Sequence, residues 1–180
     1  MQVMVRRTTD DQLFRDACES TLRPGMTSKV SFRKKLQCDQ SPIRTLFYWV
    51  RMEGIPTFVS VHLVRHHAGV DHFVMSNRDD RGGDGDGTVT RNSPVTHSMH
   101  INAQALVTMS GKRLCLNSHK KTVAVWTKVC NAVAEIDADI APFLVPACVQ
   151  KNGLCPELHP CKSGPAKVCS AYTTWPGVRA

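Results

Sequence analysis

Residues 55–81, IPTFVSVHLVRHHAGVDHFVMSNRDDR, decide how the rest of the chain is read. Pro56 suits the first turn of a helix, where its fixed φ is already helical and its missing N–H costs nothing. Phe58, Val59, Val61, Leu63 and Val64 form an apolar segment that delivers Arg65, His66 and His67 to its end. The β-branched and aromatic run 70–75 then reads as a strand, leading to Ser76, Arg78 and Arg81. A short helix–strand unit with a cationic cluster at each end predicts a pocket for phosphate or another anion. The plainer reading of Arg65-His66-His67, cations complementing the negative end of a helix dipole, stands beside it.

Upstream, residues 8–22 (TTDDQLFRDACESTL) read as a helix capped by Thr9 or Asp10, with Leu13, Phe14, Ala17, Cys18 and Leu22 on one face. Arg23-Pro24-Gly25 stops it. Residues 28–37 form a second, more basic helix with Val30, Phe32 and Leu36 turned inward. Gln40-Ser41-Pro42 is a turn, because the residue before proline avoids helical angles. Residues 43–52 (IRTLFYWVRM) are rich in aromatic and β-branched side chains and read as a strand that Glu53-Gly54 ends.

Downstream, GGDGDGTVTRNSP is too polar and glycine-rich to bury surface and reads as a loop. Asp84 and Asp86 alternate as in a calcium loop, but the later acidic ligand of such loops is absent. Residues 98–113 read as a helix on Ile101, Ala105, Leu106 and Met109, weakened by Gly111. Residues 120–136 read as another, with Val123, Trp126, Val129, Cys130 and Val133 inward. Strands early and long helices late predict one α+β domain over 1–141, followed by an irregular Cys/Pro-rich extension over 142–180. There, Cys148, Cys155, Cys161 and Cys169, with His159, are either zinc ligands or plain thiols. The spacing C-x6-C-x5-C lacks paired C-x2-C knuckles, and no metal is assigned.

A chain of 180 residues with 42% apolar content can bury a core. Its formal charge of +8 and pI near 9.3 favour anionic partners: nucleotides, nucleic acid or polyglutamylated cofactors. No run is long enough to span a membrane, and the N-terminus lacks the apolar core of a secretory signal. A cytoplasmic protein with reduced cysteines is expected. No helix-turn-helix, RNA-recognition or zinc-finger signature accompanies the charge, and no Ser-His-Asp or Cys-His constellation accompanies the pocket.

The central stretch resembles the signature of the flavin-dependent thymidylate synthases, the ThyX family: Arg-His-Arg, seven residues, then serine. The likeness runs roughly over 41–125. Gln40-Ser41-Pro42 sits where the family has a Ser-Pro turn that touches the flavin. His62-Leu63-Val64-Arg65-His66-His67 resembles Gln-x-x-Arg-His-Arg, Ile101-Asn102-Ala103-Gln104 resembles Val-Asn-Ala-Arg, and Lys112-Arg113 falls on Asn-Leu-Arg. The pattern is similar to the divergent, often phage-borne branch.

The resemblance implies a mixed or antiparallel sheet packed against long helices, in a homotetramer that binds FAD between subunits. It implies transfer of a one-carbon unit from methylenetetrahydrofolate to C5 of dUMP, with NADPH supplying electrons in the (host) cytoplasm. The protein then orients and polarises while the flavin carries the chemistry. By the same resemblance Arg65 and Lys121 are the catalytic candidates. Ser41, His66, His67, Asn102 and Arg113 would hold the flavin, and His62, Arg65, Ser76 and Arg78 the nucleotide.

The sequence departs from the family at several positions. His62 replaces glutamine, His67 replaces the second arginine, and Met75 takes the serine position with Ser76 one residue late. Phe73 stands where the family is polar. In the 118–123 segment (SHKKTV), Lys121 replaces a glutamate and Val123 the ring-polarising arginine. Three classes stay open: the methyltransferase or a hydroxymethylating relative, a non-catalytic binder of flavin and nucleotide, and a nucleic-acid-binding protein. The first is the reading adopted.

Overall fold

The computed structural model describes residues 1–78, 80, 82 and 89–161. Four strands, β1 (Gln2–Arg7), β2 (Phe47–Pro56), β3 (Val70–Val74) and β4 (Pro94–Asn102), form one antiparallel sheet in the order β1-β2-β4-β3. Among the described residues six α-helices accompany it: α1 (Asp11–Glu19), α2 (Phe32–Gln37), α3 (Thr57–Val64), α4 (Ala103–Arg113), α5 (Lys120–Ile136) and α6 (Ala147–Gln150). This is the expected α+β class, with an antiparallel sheet and long helices late in the chain.

Side chains alternate across a strand, so β2 sends Tyr48, Val50 and Met52 inward while β4 sends His97, Met99 and Ile101. All six are fully buried, in one core with Trp126, Val129 and Val133 of α5. Polar atoms inside that core are paired, as burial demands. Trp126 Nε1–H donates to Ser110 Oγ at 3.0 Å, joining α5 to α4. Tyr48 donates its hydroxyl proton to Asp137 Oδ2 at 2.6 Å, and burial together with that carboxylate pushes its pKa far up. On the other face Phe47 stacks on His100, and Trp49 meets Phe73.

The largest correction concerns residues 98–102. They belong to β4, and α4 begins only at Ala103, where the Asn102 side chain accepts from Ala105 N–H at 2.8 Å and caps it. β1 has no counterpart in the sequence reading. Its inward Val3 and Val5 pack on the core from an edge strand.

Residues 43–45 are not strand: Pro42 near the start of a 3-10 turn (Ser41–Thr45) holds them there, and β2 begins at Phe47. Nor does Glu53-Gly54 end that strand. Gly54, at φ +68°, absorbs an irregularity between Met52 and Ile55, and pairing with β4 continues to Pro56. α2 is shorter than expected, starting after the Ser31 cap, so Val30 is exposed rather than inward. Leu13 likewise stays exposed, leaving Phe14 and Cys18 as the buried face of α1. α3, β3 and α5 match their expected spans closely. On α5, Thr122 and Val125 complete the buried stripe, and Val123 is only half-buried.

Candidate active site

The loop between α3 and β3 is built where two chain reversals meet. α3 closes at Arg65, with His66 N–H donating to Leu63 O at 3.0 Å. Gly69 then takes φ +75°, and its carbonyl accepts from Asn102 N–H at 2.9 Å. A Cβ on Gly69 would lie 2.5 Å from Asn102 Nδ2, so backbone conformation and close approach both require glycine here. The 65–69 loop and the first turns of α4 thereby form two walls of a cleft of about 530 Å³. That volume suits a drug-sized ligand.

Arg44, Arg65, His66, His67, Asn102, Gln104 and Thr108 line it. Gln104 is held at its mouth, donating from Nε2 to Asp39 Oδ1 at 2.7 Å and accepting at Oε1 from Arg44 Nε.

A second cavity, of about 360 Å³, lies against the same Arg65-His66 pair and is completed by Lys112, Arg113, Cys115, Asn117, Ser118 and Glu157. Arg113 reaches across from α4 to donate to His62 O, while its Nε is buried with no hydrogen-bond partner. His66 Nε2 is buried and unpartnered as well. Leaving such a group unsatisfied costs about 1–3 kcal/mol, and an acceptor or donor from a ligand would relieve it.

Burial, followed by the Arg113 charge, lowers His66 to about 4, so its ring is neutral at pH 7. His62 is also lowered, by burial first and then by Arg113 and Arg65; its Nδ1 lies 2.9 Å from Thr122 Oγ1. Arg113 is itself lowered by burial and Arg65 but, as a guanidinium, stays charged. The site therefore combines fixed positive charge with neutral imidazoles in a partly dehydrated setting, where a charge-assisted hydrogen bond to an anion is strongest.

No protein-family model matches the sequence, and comparison with curated proteins gives no match. Solved structures do match. The chain is similar to thymidylate synthase X (ThyX) from Helicobacter pylori, solved with FAD and dUMP, with a TM-score of 0.64 at 12% identity over 80% of this chain and 99% of that one. A second structure of the same bacterium's flavin-dependent ThyX, complexed with FAD and dUMP, gives 0.65 at 12% identity over 81% and 100%. The chain has the ThyX fold. A UMP/dUMP methylase, PolB from Streptomyces cacaoi, bound with 5-Br dUMP, is similar too, with a TM-score of 0.56 at 12% identity over 79% and 94%.

Within the ThyX fold, the residues singled out in the sequence do not all converge. Arg65, His66, His67 and Asn102 line the larger cleft; Arg65, His66 and Arg113 line the smaller; His62 backs the smaller one through its carbonyl. Ser41 is exposed at the start of the 3-10 turn, and that same turn delivers Arg44 to the cleft. Sequence reasoning missed Arg44, whose place at the cleft depends on its contact with Gln104, 60 residues away. Lys121 is exposed in the first turn of α5 and lines neither cavity.

Ser76 and Arg78 lie beyond the far end of β3 and line neither cavity; Arg78 forks onto the Asp80 carboxylate. Arg81, Asp84, Asp86 and Cys169 lie outside the described residues. Among the described residues no three His, Cys, Asp or Glu side chains come together as a metal-ligand set. Among them, too, no helix is long and apolar enough to cross a membrane.

Proposed function

We propose that the chain is a flavin-dependent enzyme that transfers a one-carbon unit from methylenetetrahydrofolate to C5 of dUMP, with NADPH as reductant. The observation that carries this reading is the pair of cavities sharing Arg65 and His66, with unpartnered His66 Nε2 and Arg113 Nε, in a fold it shares with proteins solved with FAD and dUMP. Bound FAD would supply the redox chemistry that no protein side chain here provides.

Arg65 serves both cavities, clamping phosphate or ring oxygens. Arg113 offers its free Nε–H to the anionic ligand. His66 stays neutral and presents Nε2 as a directional hydrogen-bonding atom. His67 on the loop wall, and Gln104 and Arg44 on the facing one, would hold the flavin. Ser76 and Arg78 line neither cavity and take no ligand role in this proposal; the homotetramer belongs to it, and the mass in solution tests it.

A second reading, a binder of flavin and nucleotide without turnover, is favoured by one observation. Val123 offers no charge from α5 where the family resemblance calls for an arginine, and exposed Lys121 does not reach the cavities in its place. Incubation with FAD, NADPH, methylenetetrahydrofolate and dUMP separates the two. Gain of one methyl mass on the nucleotide supports the enzyme; flavin and dUMP binding without product supports the binder.

A further inference from the structure

Behind the cleft loop runs a hydrogen-bonded chain that the ligand-binding reading leaves unused. Ser60 Oγ on α3 lies 2.9 Å from His97 Nδ1 on β4. His97 Nε2 lies 2.9 Å from His72 Nδ1 on β3, and His72 Nε2 lies 2.5 Å from the backbone oxygen of His66. His97 is fully buried and Ser60 nearly so.

The far end fixes the direction of the chain. A carbonyl oxygen can only accept, so His72 Nε2 carries a proton. With His72 neutral, its Nδ1 accepts from His97 Nε2–H, and His97 Nδ1 accepts from the Ser60 hydroxyl. Burial, aided by His72, lowers His97 to about 4, which agrees with this neutral arrangement.

We infer that His72 and His97 are positioning residues, forming a one-way chain from α3 through β4 and β3 that sets the His66 carbonyl and with it the 65–69 wall of the cleft. Backbone bonds fasten the two ends of that loop, His66 N–H to Leu63 O and Asn102 N–H to Gly69 O. His72 fastens the peptide between them. The neutral His97 ring relays this contact without adding the buried positive charge that a lysine or arginine in its place would bring. The inference rests on the proposed function only for what the wall holds, not for how it is held.

The test begins with imidazole nitrogen NMR on the ligand-free protein. His72 and His97 are both expected as Nε2–H tautomers with unprotonated Nδ1. Amide hydrogen exchange at residues 66–69 is then compared in wild type, His72→Leu, His72→Gln and Phe73→Ala. His72→Leu should speed exchange there about tenfold or more. His72→Gln keeps an N–H able to reach the His66 carbonyl and should restore most of the protection. Phe73→Ala, pointing to the other face of β3, should leave it unchanged. FAD affinity should fall in His72→Leu by a similar factor and recover in His72→Gln.

A His97 found as Nδ1–H, or His72→Leu with unchanged loop exchange, overturns the inference. If His72→Leu does not fold, the tautomers and His72→Gln still decide it. If wild type fails to bind FAD while tautomers and exchange behave as stated, the functional reading falls and the positioning role stands.

Discussion

Arg65-His66-His67 and Ser76-Arg78 occupy opposite ends of one helix–strand unit, and in the sequence they look like equals. Folding separates them. In the first cluster Arg65 and His67 are exposed, but His66 is half-buried beside Arg113 of α4, and His66 and Arg113 keep buried nitrogens without partners. The second is exposed, and its arginine is already matched by Asp80. A cation that is solvated and paired has little left to offer a ligand, whereas one held half-dehydrated and unpaired does. A cationic run becomes a site through the surroundings that withhold its partners.

The contrast is broken most severely at Arg113. Arg113→Met should weaken dUMP binding about 100-fold, and Arg65→Ala about tenfold or more, because a hydrogen bond to a charged group contributes about 1.5–3 kcal/mol. Calorimetric titration measures both. Next comes backbone. Gly69→Ala should cost about 2 kcal/mol, combining positive-φ strain with a Cβ 2.5 Å from Asn102 Nδ2. Gly82→Ala, near the second cluster, has the same φ of +75° but open space and should cost about 1 kcal/mol. Thermal melts compare them.

A smaller effect follows from pH. His66 and His97 are held at about 4 in the folded protein against an ordinary 6.5, so the unfolded chain binds protons first as pH falls. Their stabilising contribution is full above pH about 6.5 and is lost progressively towards pH about 4. For fully buried His97 the loss is about 1 kcal/mol over the first unit below 6.5. Melting temperature followed against pH should show this slope, and His97→Asn should flatten it. The smallest effect is expected at the other cluster: Arg78→Ala should change stability by less than about 0.5 kcal/mol and dUMP affinity less than about twofold.

How far the sequence announced this arrangement depended on whether one element's pattern stood alone. α5 was legible because its apolar stripe repeats over 17 residues without competition. α3 and β3 were legible because the helical run, the cationic triplet and the β-branched run follow without overlap. β4 was not. Val95, His97, Met99 and Ile101 do alternate, but a histidine in the inward row hides the pattern, and only Ser60 and His72 across the core make that histidine acceptable. The helical spacing of Ala105, Leu106 and Met109 begins immediately afterwards and invites extension backwards through Asn102.

β1 is a six-residue edge strand whose inward Val3 and Val5 give too short a signal by themselves. At the candidate site, the loop residues were visible as a motif. Arg44 and the histidine chain were not, because their roles depend on contacts with segments far away in sequence. Arg44 to Gln104 spans 60 residues and His72 to His97 spans 25.

The central claim is that the unpartnered cluster around Arg65 binds flavin and nucleotide together. Its most direct test is an absorption titration of the purified protein, adding FAD and then dUMP, with Arg113→Met alongside. Flavin bands that shift on binding, shift again with dUMP, and lose that second shift in Arg113→Met are the predicted result. Flavin bands unperturbed by the protein, or a dUMP response that persists unchanged in Arg113→Met, would contradict it.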